Sequence, residues 1–373
     1  MPAGLLYVTP DMRLGGAERH VATLLPALDR ERFAPQLCCL REGGPLLAPV
    51  EAAGIPVTML AAPAGRAAAL RALPALVRLM RRLRPAVVMS HGTTASLLTR
   101  LAARAAGVPV AIAWKHNVGH LGHHGLTERL AERLAGRWTD RWFGVSYAQL
   151  PYLVGHLGAD PERVRVIYNA VDARPEPAPR PATGPVVIAA VAVLREEKGH
   201  EDLLDAFAVV AAVRPEVRLL LIGDGPRRAA LAARADAAGI RDRVTFLGAR
   251  TDVEEILRGV DVVCLASFTI ENFPYAILEA MAAARPVVCT AVGGLPELVE
   301  DGVTGLLVPA RAPAALAGRL LELVDDPQLR ARMGAAGRAR ALTRFAVAAQ
   351  AERVQRELDE ALARPLSARR RSP

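Results

Sequence analysis

Two carboxylates eight residues apart, Glu271 and Glu279, are the first residues in this chain whose type and spacing could do chemistry. The stretch reads Glu-Asn-Phe-Pro-Tyr-Ala-Ile-Leu-Glu. Before it, residues 261–266 form an apolar run of strand length without alternation, which suits a strand buried on both faces. After it, residues 275–284 are helix-forming. Pro274 fits the first helical position, where a missing N–H costs nothing, and Arg285-Pro286 stops the helix. Glu271 therefore belongs in a loop beyond a strand's carboxyl end, beside a helix N-terminus. Open α/β sheets place ligands there, and backbone N–H groups with the helix dipole favour an anion. Glu279 falls on a helix that is apolar all round, where an unpartnered polar group costs about 2–7 kcal/mol and a charge more. A diol lying in a cleft would supply two hydroxyl donors. A solvated helix carboxylate with an unrelated loop carboxylate is the plainer alternative, and spacing leaves both open.

Further candidates fall at the ends of strand-like runs. Arg195-Glu-Glu-Lys198-Gly199, Gly223-Asp-Gly-Pro226, Gly248-Ala-Arg250 and Gly293-Gly294 each follow one. Glycine turns, a lysine and a helix N-terminus on one sheet edge suggest a nucleotide diphosphate site. Lys198 is informative because the chain has only two lysines, Lys115 and Lys198, and uses arginine elsewhere. A compact ammonium at a phosphate is one reason to keep it. Near the N-terminus, Gly15 and Gly16 precede a helix and could bring backbone N–H groups to a phosphate, although an ordinary tight turn reads equally well. His91 and His116 follow successive strand ends, and Asn169 lies in Tyr168-Asn-Ala-Val-Asp172. His120, His123 and His124 have no carboxylate or thiol at ligand spacing, so a metal cluster is rejected.

The elements needed to position these residues alternate. Strands are expected at 5–9, 33–40, 56–59, 87–90, 110–114, 141–145 and 164–167, with a helix following Leu14-Gly15-Gly16-Ala17 and running through Leu28. Residues 173–185 are too rich in proline for helix or central strand and read as a stiff linker. The alternation then restarts, with strands at 186–192, 217–222, 244–247, 262–265, 287–290 and 305–308. Helices fall between them at 200–213, 226–238, 253–259, 274–284 and 294–300, and at 312–325, 327–343 and 346–362 after them. The fold class is α/β, with an N-terminal domain at 1–172, a C-terminal domain at 186–345, a closing helix at 346–363 and a basic tail at 364–373.

Composition narrows the function classes. The chain has 373 residues, enough for two cores, and its aromatic content of 4% makes them aliphatic. A net charge of +9 is held entirely by residues 1–180, with 22 Lys+Arg against 13 Asp+Glu. The sequence pI of ≈ 10.1 raises nucleic-acid binding, but no aromatic stripe or DNA-binding motif accompanies it, and no nucleic-acid partner is expected. Residues 70–84 form an amphipathic helix with Arg71, Arg78, Arg81, Arg82 and Arg84 beside Leu73, Leu76, Val77 and Met80. It reads equally as a surface for an anionic membrane and as a solvated outer helix. No signal peptide or spanning segment is seen, and Cys38, Cys39, Cys264 and Cys289 read as reduced core residues. The expected location is cytoplasmic, with peripheral contact at the inner face of the membrane.

Taken together, these landmarks resemble the retaining glycosyltransferases of family 4, which carry a Glu-x7-Glu motif. The segment Gly293-Gly-Leu-Pro-Glu-Leu-Val-Glu-Asp-Gly-Val-Thr-Gly-Leu-Leu-Val308, together with Leu14-Gly-Gly-Ala-Glu-Arg19, Tyr168-Asn-Ala-Val-Asp172, Glu197-Lys-Gly199 and Gly223-Asp-Gly-Pro226, extends the resemblance over nearly the whole chain. It implies two Rossmann-like doubly wound domains facing across a cleft, the GT-B arrangement, with the last helix crossing back to the first domain. The C-terminal domain would hold a nucleotide sugar, of the UDP type. Glu279 would hold the ribose, and Glu271 with Asn272, Phe273 and Pro274 would hold the donor sugar. Lys198 would neutralise the diphosphate with help from Gly223. Gly15 and Gly16 would cover it, His116 would sit by the sugar's reacting face, and His91 and Asn169 would lie on the acceptor side. The family's arginine before Glu-Lys-Gly is replaced here by Val193, and Arg195 is the nearest substitute.

The implied reaction moves a sugar, with retention, to a hydroxyl of a lipid-linked or polysaccharide-precursor acceptor. The departing diphosphate would take the acceptor's proton, and stabilising that diphosphate would be the main catalytic contribution. No Asp-x-Asp is present, so neither an obligatory metal nor a cofactor is expected. Two other readings compete: a glycoside hydrolase using Glu271 and Glu279 as acid and nucleophile, and a non-catalytic nucleotide-sugar binder.

Overall fold

The computed structural model describes residues 1–63, 70–116, 126–172, 184–269 and 271–365, with backbone alone at 126–128. Residues 173–183 of the expected linker, residues 366–373 of the tail, and His120, His123 and His124 lie outside the described residues. The chain divides into two compact units, Met1–Ala170 with Val347–Pro373, and Val171–Ala346.

The first unit carries β1 (Ala3–Thr9), β2 (Phe33–Cys39), β3 (Val57–Met59), β4 (Val87–His91), β5 (Val110–Lys115), β6 (Arg141–Gly144) and β7 (Val164–Val166). They form one parallel sheet in the order β3-β2-β1-β4-β5-β6-β7. β4 and β5 are buried along their whole length, as a sheet covered by helices on both faces requires. The chain starts in the middle, winds to one edge through β3, and returns to the other side at β4. The switch of direction therefore falls between β1 and β4, the place where such sheets open a crevice at their carboxyl ends.

The second unit repeats the plan with β8 (Val187–Val191), β9 (Arg218–Ile222), β10 (Val244–Gly248), β11 (Val262–Leu265), β12 (Val287–Thr290) and β13 (Gly305–Val308), in the order β10-β9-β8-β11-β12-β13. Its switch point lies between β8 and β11. The core is aliphatic, with Leu203, Leu204, Phe207 and Val210 of the helix His200–Val213 packed on Leu219, Leu221 and Val262. The helix Tyr275–Ala282 is buried through Ile277, Leu278, Ala280 and Met281. It packs against the helix Pro327–Arg344, where Gly334 permits the approach: a Cβ there would lie 2.2 Å from the Ala284 carbonyl oxygen.

Two sequence expectations change. Pro274 is not the first helical residue but the N-cap, extended at φ −70° and ψ 128°, with the helix starting at Tyr275. The first helix ends at Leu24, followed by a single 3₁₀ turn at Leu25–Ala27, because Pro26 has no N–H for continued i→i−4 bonding. The basic segment gives a helix at Leu73–Leu83 whose apolar side is already used: Leu76, Leu79 and Met80 are buried in the core of the first unit. Its arginines, including Arg78, Arg81 and Arg82, remain exposed. Among the described residues no helix is long and apolar enough to cross a membrane.

Candidate functional site

In the second unit the expected residues gather around the switch point. After β8 the chain makes a tight turn, with Leu194 buried and Val193 and Arg195 both exposed on either side of it. A 3₁₀ turn, Glu196–Lys198, then leads through Gly199 into the helix His200–Val213. From the neighbouring strand β11 comes the loop bearing Ser267 and Glu271. The Lys198 ammonium donates to Glu271 Oε1 at 2.5 Å, bridging 73 positions of sequence. The same oxygen accepts from Ser267 Oγ at 2.6 Å. Ser267 is in turn held by its carbonyl, which accepts from Thr290 Oγ1 at the end of β12, at 2.5 Å.

The Glu271 backbone is fixed as closely as its side chain. Gly294 N–H donates to the Glu271 carbonyl at 2.6 Å. Gly293 adopts φ +56°, and a Cβ on it would lie 2.0 Å from that carbonyl oxygen, so no larger residue fits beneath the loop. Asn272 and Phe273 are buried, with Phe273 edge-on to Phe345 at 5.0 Å between centroids. No side chain caps the helix Tyr275–Ala282, so its N-terminal N–H groups and dipole face the Glu271–Pro274 loop. Glu279 lies one turn in and is half-buried. Gly223 follows β9, its N–H donating to the Gly248 carbonyl at 2.8 Å. His200 is buried beside Lys198; burial, and then the lysine's charge, pull its pKa down to about 4, so it is neutral at pH 7.

The first unit gathers its own candidates at the carboxyl ends of β1, β4 and β5. Gly15 is the N-cap of the helix Gly16–Leu24, and Glu18 of that helix lies 3.6 Å from His91 Nε2. The His91 ring is fully engaged. Thr9 uses its one hydroxyl proton on the Asp11 carbonyl at 2.8 Å, so Nε2 donates to Thr9 Oγ1 and Nδ1 accepts from the Tyr7 hydroxyl, each at 3.1 Å. His116 lies 5.4 Å from His91 between ring centroids and 4.7 Å from His20. Asn169 lies beside His20, which also packs on Trp114 at 4.2 Å. Burial, then the neighbouring His91, push the His20 pKa down to about 3. Burial, then His20 and His91, hold His116 well below its ordinary value. Imidazoles kept neutral in this way can exchange hydrogen bonds with hydroxyls without carrying charge.

Beneath them lies a buried ionic group. Glu132 accepts from Arg100 at 2.7 Å and from Lys115 at 3.1 Å, and both cations flank the Trp142 ring. Among the described residues no group of three or more His, Cys, Asp or Glu is arranged to hold a metal ion. The four cysteines are free and buried, and burial pushes Cys38, Cys39 and Cys264 up to about 12, too high for a thiolate nucleophile.

The structure therefore brings Lys198 and Glu271 into contact, carries Asn272 to Pro274 and Glu279 on the loop and helix that follow Glu271, and collects Gly15, Gly16, His91, His116 and Asn169 in the other unit. Sequence reasoning missed Ser267, Thr290, His20 and Glu132. The only local signal was a buried-type serine four residues before Glu271.

Residues 14–174 match the family described as Glycosyltransferase Family 4, and residues 174–340 match Glycosyl transferases group 1. D-inositol 3-phosphate glycosyltransferase of Corynebacterium glutamicum (strain R) is 34% identical over 220 residues, covering 53% of this chain and 52% of that protein. N-acetyl-alpha-D-glucosaminyl L-malate synthase of Bacillus anthracis is 36% identical over 140 residues, covering 38% of this chain and 36% of that protein. The chain thus spans about half the length, or less, of the curated relatives it matches. Among solved structures, Anabaena Alr3699/HepE in complex with UDP-glucose aligns with a TM-score of 0.85 at 25% identity, covering 96% of this chain and all (100%) of that one.

Proposed function

Because the chain belongs to the group 1 glycosyltransferases, with a family 4 N-terminal half and two Rossmann-like units of the GT-B fold, we propose that it transfers a sugar, with retention, from a UDP-sugar to a hydroxyl acceptor. The observation that carries this reading is the Lys198–Glu271 pair at the switch point of the second sheet, beside an uncapped helix N-terminus. A cation for a diphosphate, a carboxylate for sugar hydroxyls and a second carboxylate, Glu279, for a ribose then stand in chain order along one edge.

In the proposed mechanism Lys198, with Arg195 and backbone N–H groups near Gly223, stabilises the leaving diphosphate. Such preorganised donors act without reorganising as charge develops. Glu271 and the backbone from Asn272 to Pro274 orient the sugar, and His91 and Asn169 are assigned to the acceptor. The acceptor's proton passes to the departing diphosphate. No metal takes part in this scheme, so EDTA should leave activity intact, and a strict need for a divalent ion would overturn it. The proposed acceptor is a lipid-linked or polysaccharide precursor met at an anionic membrane surface. The relatives' names, a D-inositol 3-phosphate glycosyltransferase and an N-acetyl-alpha-D-glucosaminyl L-malate synthase, make a small hydroxy acid or polyol phosphate the acceptor class to assay beside it.

Thermal-shift screening of nucleotide sugars tests the donor assignment. A donor at about 100 times its Kd should add roughly 2.7 kcal/mol of stability. Glu279→Gln should reduce that gain, because an amide is a poorer acceptor for ribose hydroxyls; undiminished donor affinity in a folded Glu279→Gln protein would remove Glu279 from the site. No stabilisation by any nucleotide sugar, together with glycoside cleavage, would favour the hydrolase instead.

A further inference from the structure

Glu271 Oε1 receives two donors, Lys198 Nζ at 2.5 Å and Ser267 Oγ at 2.6 Å. Among the described residues nothing is bonded to the other carboxylate oxygen. Ser267 is 1% exposed and its carbonyl is fixed by Thr290 Oγ1 at 2.5 Å. The serine thus ties the Glu271 side chain to the end of β12. The Lys198 side chain is 27% exposed, and that of Glu271 10%. A pair this far out of water is held by its hydrogen bonds, and either partner left alone there would be an uncompensated charge.

We propose that Ser267 is a positioning residue of this site: it holds Glu271 where the carboxylate latches Lys198, and a nucleoside diphosphate opens the latch by taking the lysine. The second half rests on the donor-binding reading above, whereas the first does not. The logic is an exchange of partners. A diphosphate carries more negative charge than one carboxylate and outcompetes it for a single ammonium. Glu271 keeps its bond to Ser267 when Lys198 leaves, so the carboxylate stays in place with oxygen capacity free for a sugar hydroxyl. Without a ligand the pair closes again, and neither charge is stranded.

The chain's two lysines make the test direct. Protein labelled with ¹⁵N only in lysine gives two side-chain ammonium signals, assigned with Lys198→Arg, and Lys115, paired with Glu132 in the other unit, is an internal control. Ser267→Ala should speed Lys198 ammonium proton exchange by about tenfold, the effect of losing one hydrogen bond to a charged group. The Lys115 signal should stay unchanged, and Ser267→Thr, which keeps the hydroxyl, should restore slow exchange. Unchanged Lys198 exchange in Ser267→Ala would overturn the positioning role. Should Ser267→Ala fail to fold, Thr290→Val is read in the same way, with unchanged Lys198 exchange again overturning it. UDP, with inorganic pyrophosphate as a base-free control, should shift the Lys198 signal and not that of Lys115. Glu271→Gln, which removes the competing charge, should bind UDP about fivefold more tightly. A wild-type Lys198 signal that ignores both ligands would sink the donor reading and the partner exchange while leaving the Ser267 result standing. A Lys198 shift on UDP with unaltered or weaker UDP binding in Glu271→Gln would sink the latch alone.

Discussion

A lysine tied to a carboxylate in the absence of substrate has two jobs, and its removal should show both. Lys198→Ala should lower kcat by about 10²–10³, the loss typical of removing one charge-stabilising donor, as measured by release of the nucleoside diphosphate. A loss no greater than that of an exposed arginine such as Arg258 would take Lys198 out of the chemistry. The buried group in the first unit makes a prediction about stability. Burial alone would raise the Glu132 pKa, but the charges of Lys115 and Arg100 overcome it and bring the pKa from 4.5 down to about 2. A carboxyl group with a depressed folded pKa contributes stability above its unfolded value and loses it as pH falls toward the folded one. Glu132 should therefore supply about 3 kcal/mol at neutral pH, lost between about pH 4.5 and 2. Glu132→Gln leaves two buried cations without a counter-charge, at a cost of roughly 3–5 kcal/mol. Calorimetry should find the first unit's transition lowered by about 10 °C. His20, buried and neutral with its pKa near 3, adds a separate acid sensitivity. It takes up its proton only on unfolding, so by itself it should lower stability by about 1.4 kcal/mol per pH unit below about 6.5, the share of the acid slope that His20→Asn should remove. Neither Glu132 nor His20 stood out in the sequence, because a lone acid on a helix and a lone histidine in an amphipathic segment look solvated until their neighbours are known.

Among the elements, the helix Leu73–Leu83 separates two uses of an amphipathic pattern. Its leucine and methionine side is committed to the core through Leu76, Leu79 and Met80, so it has no apolar face left to insert into lipid. Any membrane contact must then be electrostatic, carried by exposed arginines at roughly 1 kcal/mol each near an anionic surface and screened by salt. Replacing Arg78, Arg81 and Arg82 with Glu should leave the melting temperature within a few degrees, since surface changes are usually within about 0.5 kcal/mol each. The same variant should no longer co-sediment with anionic vesicles. Equal recovery of wild type and variant, or no recovery of either, would leave the helix a solvated face. The pattern was readable from sequence; which surface it covers was not, because a 3.6-residue period specifies that a helix has an apolar side and not what lies against it.

At the scale of the whole molecule, the closing helix Val347–Ala363 belongs to the first unit although it follows the second. It contributes the fully buried Val354 and Leu358, a 2.6 Å bond from the Asp29 N–H to Gln355 Oε1, and ion pairs from Arg32 to Glu352 and from Arg165 to Glu357. The two aliphatic side chains alone are worth about 3–6 kcal/mol, against a typical domain stability of 5–15. Truncation after residue 346 should therefore abolish the first unit's cooperative melting and make it sensitive to protease. The second unit, which holds the Lys198 and Glu271 site, should keep its own transition and its response to UDP. Loss of both transitions together would show that the units do not fold independently.

The sequence by itself determined the inventory of elements. Strand-length apolar runs, helix periods and proline stops depend on a few neighbouring residues, and for the strands β11, β12 and β13 and the helix His200–Val213 those signals gave the observed limits. They also placed Lys198 and Glu271 beyond strand ends and Glu279 one turn inside the following helix, which is where a site can form. The contact of Lys198 with Glu271 required adjacency of β8 and β11, strands separated in the chain by two other strands and three helices, and only the order of the folded sheet supplies it. That order likewise decided that Ser267 and Thr290 meet behind the carboxylate, that His20 reaches Trp114 and that Glu132 lies between two cations. Side-chain pairs of this kind depend on parallel register and sheet twist, quantities set by the packing of the entire unit rather than by any local stretch.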